Sequence, residues 1–227
     1  MNDGNLPLIR IRNLDFQYLP DVPVLRNVNC EFRSGELLYL VGESGSGKST
    51  LAHLVGRILQ PTAGSIEFGS DFYPSLVLQF PELLFLFDSI REEFDSLKDP
   101  ELRLFAKDLV SRFSIDIESL SDIPPTSLSF AQRRVVATAL QCARSREVIV
   151  LDEPTLGLDE RNATVLADWL RETCQDGSCC IVVTHDLELI ETAPGNVHIL
   201  RQGQLKWRGG STEFLESNDL LSLAGSA

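Results

Sequence analysis

Apolar and polar residues along this chain follow two different periodicities. Residues 8–12 (LIRIR) and 28–32 (VNCEF) alternate apolar and polar side chains, which predicts two half-exposed strands. Residues 37–41, 148–151 and 180–183 are continuous apolar runs, which are typical of strands covered on both faces. We therefore expect a sheet whose central strands are fully buried.

Segments whose apolar residues recur at helical spacing follow several of these strands. Residues 51–60 (LAHLVGRILQ) keep a helical pattern until Pro61, and residues 100–110 and 161–172 are also predicted to be helical. Strand patterns are missing between about 81 and 143, so we predict a helical subdomain there, within a single domain that spans residues 1–227. Buried strands joined by helices indicate an α/β fold.

The charge of the chain argues against nucleic acid as a partner. Lys and Arg number 20 against 33 Asp and Glu, a net charge of -13, which repels a phosphate backbone unless a basic patch intervenes. Such a patch is represented best by residues 132–134 (QRR) with Arg144 and Arg146. The same residues also fit an ordinary solvated helix face.

The cysteines and the N-terminus indicate a cytosolic protein. Five cysteines without a CxxC pair are typical of reduced thiols, with Cys179 and Cys180 in a buried strand and no zinc site expected. The N-terminus lacks the basic flank and apolar run of a secretory signal. The longest apolar run, residues 83–87, is far shorter than the roughly 20 residues that cross a bilayer. Any role at a membrane must therefore depend on a partner.

Residues 42–49 (GESGSGKS) match the phosphate-loop pattern between a buried strand and a helix. Small residues at Gly45 and Gly47 let backbone N–H groups surround a phosphate, and the helix adds the positive end of its dipole. Lys48 can contact the β- and γ-phosphates, Ser49 can bind Mg²⁺, and Thr50 can add a hydroxyl. A turn that only joins strand to helix is the alternative, but it leaves the Lys-Ser pair unexplained. The predicted nucleotide-binding residues are Gly42, Glu43, Ser44, Gly45, Ser46, Gly47, Lys48, Ser49 and Thr50.

Residues 148–154 (VIVLDEP) place an acidic pair at the end of a buried strand. Ligands in open parallel sheets bind at the carboxyl ends of strands. Asp152 is therefore expected to bind the Mg²⁺ of a nucleotide. Glu153, predicted to point to the other face of the strand end, is expected to orient or deprotonate water. An acidic turn without a function is the alternative.

In this order, the motifs resemble those of the nucleotide-binding subunits of ATP-binding cassette (ABC) transporters, over nearly the whole chain. The resemblance implies a P-loop NTPase core, a mixed sheet flanked by helices, with an antiparallel β subdomain and a helical insert. It also implies an ATPase that uses ATP and Mg²⁺. Residues 79–82 (QFPE) further resemble the subgroup that drives energy-coupling-factor importers.

Four further roles are implied by this resemblance. Tyr18 matches the aromatic residue that stacks on adenine, although an ordinary edge-strand aromatic is the alternative. Gln79 matches the glutamine that contacts Mg²⁺ and the attacking water. Asp159 matches the aspartate that touches the opposite subunit of the dimer, and His185 matches the histidine at the γ-phosphate. The remaining histidines, His53 and His198, are interpreted as structural.

Residues 127–134 (SLSFAQRR) stand where the family has LSGGQ, a segment that faces the ATP of the partner subunit. Ser129 and Gln132 have the spacing of a capping box, so the start of a helix is expected to be retained. Phe130 and Ala131 add bulk where glycine permits close approach. We expect this bulk to keep the two subunits apart if the Phe130 ring faces the nucleotide, whereas a tolerant position is the alternative.

The predicted function is that of an ATP-hydrolysing subunit that powers an ABC transporter through a separate transmembrane subunit. The length of the chain favours an importer. The subunit would be cytoplasmic, peripheral on the inner face of the cell membrane, and paired in a homodimer or a heterodimer with a second ABC ATPase. The surface that contacts the membrane subunit is predicted to be an apolar stretch beside Gln79, formed by Phe80, Leu83, Leu84, Phe85 and Phe87. Packing of part of this stretch into the core is an equally compatible alternative.

Two other functions fit parts of the pattern. A non-transport ABC ATPase in an assembly or repair complex is the main alternative, although the chain lacks the coiled-coil and zinc insertions of repair proteins. A small-molecule P-loop kinase would leave Gln79, His185 and the capping box unexplained. The transported substrate cannot be predicted because such a subunit does not touch the cargo.

Overall fold

A computed structural model describes residues 7–225. Residues 1–6, which belong to the segment interpreted as lacking a signal peptide, lie outside the described part. The strands are β1 (Ile9–Leu19), β2 (Val22–Phe32), β3 (Leu37–Val41), β4 (Ala63–Phe68), β5 (Ser75–Val77), β6 (Val148–Asp152), β7 (Cys179–Val183), β8 (Asn196–Arg201) and β9 (Gln204–Gly210). The helices are α1 (Lys48–Val55), α2 (Ile90–Asp95), α3 (Pro100–Arg112), α4 (Phe130–Cys142), α5 (Glu160–Gln175), α6 (Leu187–Thr192), α7 (Ser211–Glu216) and α8 (Asn218–Ala224). Single turns of 3₁₀ helix cover Pro81–Leu84 and Pro125–Ser127.

The central sheet has six strands in the order β5-β6-β7-β3-β8-β9. All pairings are parallel except that of β8 with β9. Successive side chains point to opposite faces, so Tyr39 and Val41 enter one core and Leu38 and Leu40 enter the other. Both faces are apolar because each is covered by other elements, which confirms the predicted burial of β3, β6 and β7.

The two cores bring different elements onto the central sheet. One core packs residues from α3, α4 and α5 against the sheet. The other joins the sheet to α1 and to a three-stranded antiparallel sheet of order β2-β1-β4. This arrangement confirms the predicted mixed α/β class with an additional antiparallel β portion.

Helices and 3₁₀ turns make up the ordered elements between residues 81 and 143, a stretch that lies wholly within the described part. Pro100 opens α3 at its first position, where a missing N–H costs nothing, and Asp99 caps the helix. Across residues 7–225, every helix is too short or too polar to reach from one side of a bilayer to the other.

Several element boundaries differ from the sequence prediction for local reasons. β1 and β2 extend well beyond the predicted segments 8–12 and 28–32 because register shifts break their alternation, with Asn13 and Asn27 at positive φ. The predicted helix 51–60 ends at Val55, since Gly56 packs against Leu76 and Arg57 adopts φ 59°.

The two histidines interpreted as structural differ in burial. His198 on β8 is buried opposite Arg208 of β9, and burial, assisted by that arginine, lowers its pKa to about 4. His53 is half-buried on α1. A neutral His198 therefore belongs to the packing of the sheet at physiological pH.

Candidate functional site

A pocket of about 300 Å³ opens where β3 and β6 end and α1 begins. It brings together two segments that are about a hundred residues apart, the predicted phosphate loop and the acidic pair. Its lining is formed by Val24, Ser44, Gly45, Gly47, Lys48, Ser49, Thr50, Gln79, Asp152, Glu153 and Val183. Val24 and Val183 are apolar strand residues for which the sequence carries no functional signal.

The loop backbone is shaped by glycines in the left-handed region. Gly45 has φ 78° and Gly47 has φ 104°. A Cβ at Gly47 would lie 2.7 Å from Leu25 Cδ2, whereas a Cβ at Gly45 would meet no atom of the described residues within 4 Å. Gly47 is the N-cap of α1, and no side chain within residues 7–225 caps it. The first N–H groups of α1 are therefore available to an anion.

Gly42, Glu43 and Ser46 form the outer side of the loop. Gly42 lies so close to Leu200 that a Cβ would be 2.0 Å from the Leu200 carbonyl oxygen. Ser46 is buried, and its Oγ has no hydrogen-bond partner among the described residues. The Glu43 carbonyl accepts from Ser46 N–H at 3.1 Å, which closes the turn of the loop.

Lys48 holds its ammonium group across the loop. Its Nζ donates to the carbonyl oxygens of Gly42 at 2.7 Å and Glu43 at 3.0 Å. Burial lowers the pKa of Lys48, while the charges of Glu153 and Asp152 oppose this shift. A cation thus faces the acidic pair inside one pocket.

Asp152 and Ser49 supply adjacent oxygen atoms. Asp152 ends β6 and is buried, and burial raises its pKa, while a hydrogen bond from the Ser49 side chain acts in the opposite direction. A carboxylate beside a hydroxyl, with the Gln79 amide in the same pocket, is a donor set that suits a hard divalent cation.

Glu153 lies outside the strand, in contrast to its predicted place in the alternation of β6. It adopts φ 50°, and its N–H donates to the Val183 carbonyl at 2.8 Å. The prediction that strand alternation directs its side chain was therefore wrong, because a left-handed turn redirects the chain after Asp152. A non-glycine residue in this conformation is strained and needs support from its surroundings.

His185 and Thr184 contact the carboxylate of Glu153. His185 Nδ1 lies 2.8 Å from Glu153 Oε1, and Thr184 Oγ1 donates to Oε2 at 3.3 Å. The side chain of His185 is 78% exposed and that of Glu153 is 15% exposed. His185 thus reaches the pocket through Glu153 from the solvent side.

Tyr18 extends the same region along β1. Its hydroxyl lies 3.3 Å from Thr50 Oγ1, and its ring meets Phe16 edge to face. The residue is 58% exposed. An aromatic surface therefore stands open to solvent beside the start of α1.

Arg134 is a buried residue of this region that the sequence analysis did not recognise. Arg134 is 3% exposed, and its guanidinium donates to the carbonyl oxygens of Gln79 at 2.5 Å and Glu153 at 3.1 Å. Glu82 Oε2 lies 3.5 Å away. The interpretation of this position as part of a basic patch or a solvated helix face was wrong. A charged residue on a helix gives no sequence signal for contacts with carbonyls that are distant in the chain.

The altered signature begins α4 with the expected capping box. Ser129 Oγ accepts from Gln132 N–H at 3.2 Å, and Gln132 Oε1 accepts from Ser129 N–H at 2.9 Å. Asp159 likewise caps α5 by accepting from Asn162 N–H at 2.8 Å. Ser129, Gln132 and Asp159 do not line the pocket that holds Lys48.

The Phe130 ring packs within its own chain. A Cβ at Gly157, in the loop before α5, would lie only 2.4 Å from Phe130 Cε1. The ring centroid is 5.7 Å from Arg134 Cζ, and the residue remains 44% exposed. Gly157, which has φ 80°, therefore leaves the space that the ring occupies.

Known proteins resemble this chain both in sequence and in fold. A family model described as ABC transporter matches residues 25–156. The energy-coupling factor transporter ATP-binding protein EcfA2 of Clostridium perfringens is 29% identical, over 96% of this chain and 85% of that protein. The corresponding EcfA protein of Methanothermobacter thermautotrophicus is 28% identical, over 96% of this chain and 75% of that protein.

Solved structures share the fold over most of the chain. The structure of cbiO1 from Clostridium perfringens, part of the ABC transporter complex cbiONQ, has a TM-score of 0.77 and 26% identity, covering 95% of this chain and 93% of that one. A dimeric bacterial ABC transporter cassette has a TM-score of 0.73 and 25% identity, covering 89% and 98%. Since the family model matches residues 25–156 of 227, this chain belongs to the ABC transporter family and is an ATPase of that family.

Proposed function

We propose that this chain is the ATP-binding and ATP-hydrolysing subunit that powers an importer through a separate membrane subunit. The observation that carries this proposal is the convergence of Lys48, Asp152, Glu153 and Gln79 on one pocket. The similarity to ATP-binding proteins of energy-coupling factor transporters supports the importer direction.

In this proposal, the loop from Gly42 to Thr50 binds the phosphates of ATP. Its glycines direct N–H groups into the pocket, and the Lys48 ammonium adds positive charge. The exposed ring of Tyr18, next to Thr50, stacks on the adenine base.

Ser49, Gln79 and Asp152 are proposed to hold Mg²⁺. Their hydroxyl, amide and carboxylate oxygens are the ligand types that this ion prefers, and the Ser49–Asp152 hydrogen bond keeps two of them together. When bound, the ion neutralises charge on the phosphate oxygens.

Glu153 is proposed as the general base for the attacking water. His185 and Thr184 hold the two carboxylate oxygens of Glu153 in place, and His185 is proposed to lie next to the terminal phosphate. Gln79 orients the water, and Arg134 is a positioning residue because it holds the backbone carbonyls of Gln79 and Glu153.

The altered signature is proposed to serve a neighbouring ATPase subunit, together with Asp159. Ser129 and Gln132 present the start of α4 to the nucleotide of that partner, in a homodimer or heterodimer. Because this chain's own pocket needs the partner's signature, the two ATP sites of a heterodimer would differ in activity.

Restoring glycines in the signature is expected to increase ATP turnover severalfold. Part of the Phe130 ring packs against Gly157, but the residue stays 44% exposed, and Phe130→Gly with Ala131→Gly removes this exposed bulk at the start of α4 while the Ser129–Gln132 cap is retained. Steady-state ATPase assays of the dimer would measure the effect, with Ala131→Gly alone as a control that removes only one methyl group. Unchanged or lower turnover in the double variant would show that bulk at Phe130 is not what limits hydrolysis.

The chain is proposed to act as one ABC domain whose helical subdomain, about residues 81–143, carries the surface for the membrane subunit. Beside Gln79, Phe80, Leu83, Leu84 and Phe87 are between 42% and 78% exposed. Phe85 instead packs against the core, so only part of the apolar stretch is available. An exposed apolar strip of this kind suits a groove that receives a partner's helix.

Co-purification with a membrane subunit is the experiment that tests this function. Leu83→Asp is expected to abolish retention of a transmembrane protein in detergent, while ATP binding by the chain stays unchanged. Leu104→Asp is a matched control, because Leu104 is also exposed, at 69%, but lies on α3. A stable complex with soluble proteins only would contradict the transporter role and favour the non-transport ABC ATPase.

A further inference from the structure

The outer side of the phosphate loop is supported by the C-terminal part of the chain. Gly203 N–H, in the turn between β8 and β9, donates to the Ser46 carbonyl at 3.1 Å. Arg201 Nη2 lies 3.4 Å from Glu43 Oε1. Both contacts are made at loop residues, Ser46 and Glu43, that do not line the pocket.

The end of α8 closes on the same loop residue, Glu43. Gly225 caps α8 in the left-handed conformation, with φ 75°, and its N–H bonds to the Ser222 carbonyl. A Cβ at Gly225 would lie 2.7 Å from Glu43 Cγ and 3.5 Å from Glu43 Cα. The glycine is therefore required twice, once for its backbone angle and once for its closeness to Glu43.

Glu43 connects this contact to Lys48. Its carbonyl accepts from Lys48 Nζ at 3.0 Å and from Ser46 N–H at 3.1 Å. A displacement of Glu43 would therefore move an acceptor of the Lys48 ammonium and the hydrogen bond that closes the loop.

We propose that Gly225 is a positioning residue for ATP binding, because the end of α8 fixes Glu43 and, through it, the phosphate loop and Lys48. This inference rests on the proposed binding of ATP by that loop. It assigns a role to the C-terminal helix that is separate from its contribution to the hydrophobic core.

Gly225→Ala is expected to raise the Kd for MgATP about tenfold, which corresponds to about 1.4 kcal/mol. The added methyl group would lie 2.7 Å from Glu43 Cγ and in contact with Glu43 Cα, so Glu43, whose side chain is 48% exposed, has to move away from α8 and shifts the loop residue that carries it. Isothermal titration of the purified full chain would give the Kd, and thermal unfolding would give the stability of each variant.

Two controls separate positioning from simple destabilisation. Gly177→Ala, in the turn before β7, also places a side chain at positive φ, 99°, but among the described residues its Cβ would meet Ser34 Oγ alone, at 3.6 Å. It is expected to lower stability without changing the Kd. Arg201→Gln removes an ion pair whose side chains are 40% and 48% exposed, and it is expected to have little effect on the Kd.

Rescue by a second substitution provides the decisive comparison. Adding Glu43→Ala to Gly225→Ala removes the Cγ atom that collides, so the Kd is expected to return to that of Glu43→Ala alone. The inference would be overturned if Gly225→Ala had the same Kd as Gly177→Ala, or if the double variant kept the Kd of Gly225→Ala. Either result would leave the proposed function intact.

A Gly225→Ala variant that does not fold would leave Glu43→Ala to carry the test. Glu43→Ala and Arg201→Gln both remove the ion pair, but only Glu43→Ala also removes the contact with Gly225. Glu43→Ala is therefore expected to weaken MgATP binding more than Arg201→Gln does. Equal Kd values for these two variants would overturn the inference. A wild-type chain that binds no ATP would instead refute the proposed function itself.

Discussion

Glu153→Gln is expected to reduce ATP turnover about 100- to 10,000-fold, the range in which a positioned general base contributes. Glutamine keeps the shape of the side chain and its contact with Thr184, but it cannot accept a proton from water. ATP affinity is expected to remain near that of the wild type, because Lys48 and the loop are unchanged. Single-turnover hydrolysis and equilibrium ATP binding, measured on the same preparation, would separate these two effects.

A control for Glu153→Gln is available on the surface. Glu101→Gln makes the same chemical change at an exposed position in the first turn of α3, and it is expected to leave turnover unchanged. If Glu153→Gln retained most of the wild-type turnover, the general base would have to be a different residue. If it lost ATP binding as well, the residue would act in binding rather than in the chemical step.

Lys48→Ala is expected to weaken MgATP binding about 12- to 140-fold. Hydrogen bonds to a charged group contribute about 1.5–3 kcal/mol, and about 1.4 kcal/mol corresponds to a factor of ten in affinity. The ammonium is partly desolvated inside the pocket and faces two carboxylates. The other side chains that line the pocket carry no positive charge that could replace it. Titration with a fluorescent ATP analogue would measure the change.

The matched control for this substitution is Lys206→Ala. Lys206 is an exposed lysine on β9 whose Nζ contacts Gln204, so its removal tests the effect of net charge alone. Its affinity for MgATP is expected to equal that of the wild type. Equal affinities for Lys48→Ala and the wild type would show that Lys48 does not bind phosphate.

The central strands and the phosphate loop could be predicted because their signals are local in the sequence. An unbroken apolar run indicates a strand covered on both faces, and the glycines with Lys48 specify a loop between strand and helix. The capping box at Ser129 was predictable for the same reason, since both partners lie within one helical turn.

Features that depend on tertiary contacts were not predictable. Arg134 gives no signal for burial until Gln79 and Glu153 are brought next to it by the fold. The Phe130 ring could face either way, and the space at Gly157 decided its direction. Strands β4, β5, β8 and β9 were not predicted: β4 and β9 are partly exposed, β5 is only three residues long, and the short apolar run of β8 is interrupted by a histidine.

Equilibrium binding of ATP to the purified wild-type chain, measured with and without Mg²⁺, tests the central claim most directly. Asp152 and Ser49 are proposed to hold the cation beside the phosphate loop, so affinity is expected to rise when Mg²⁺ is added and to fall when it is chelated. An ATP affinity that is absent, or that is the same with and without Mg²⁺, would contradict the account.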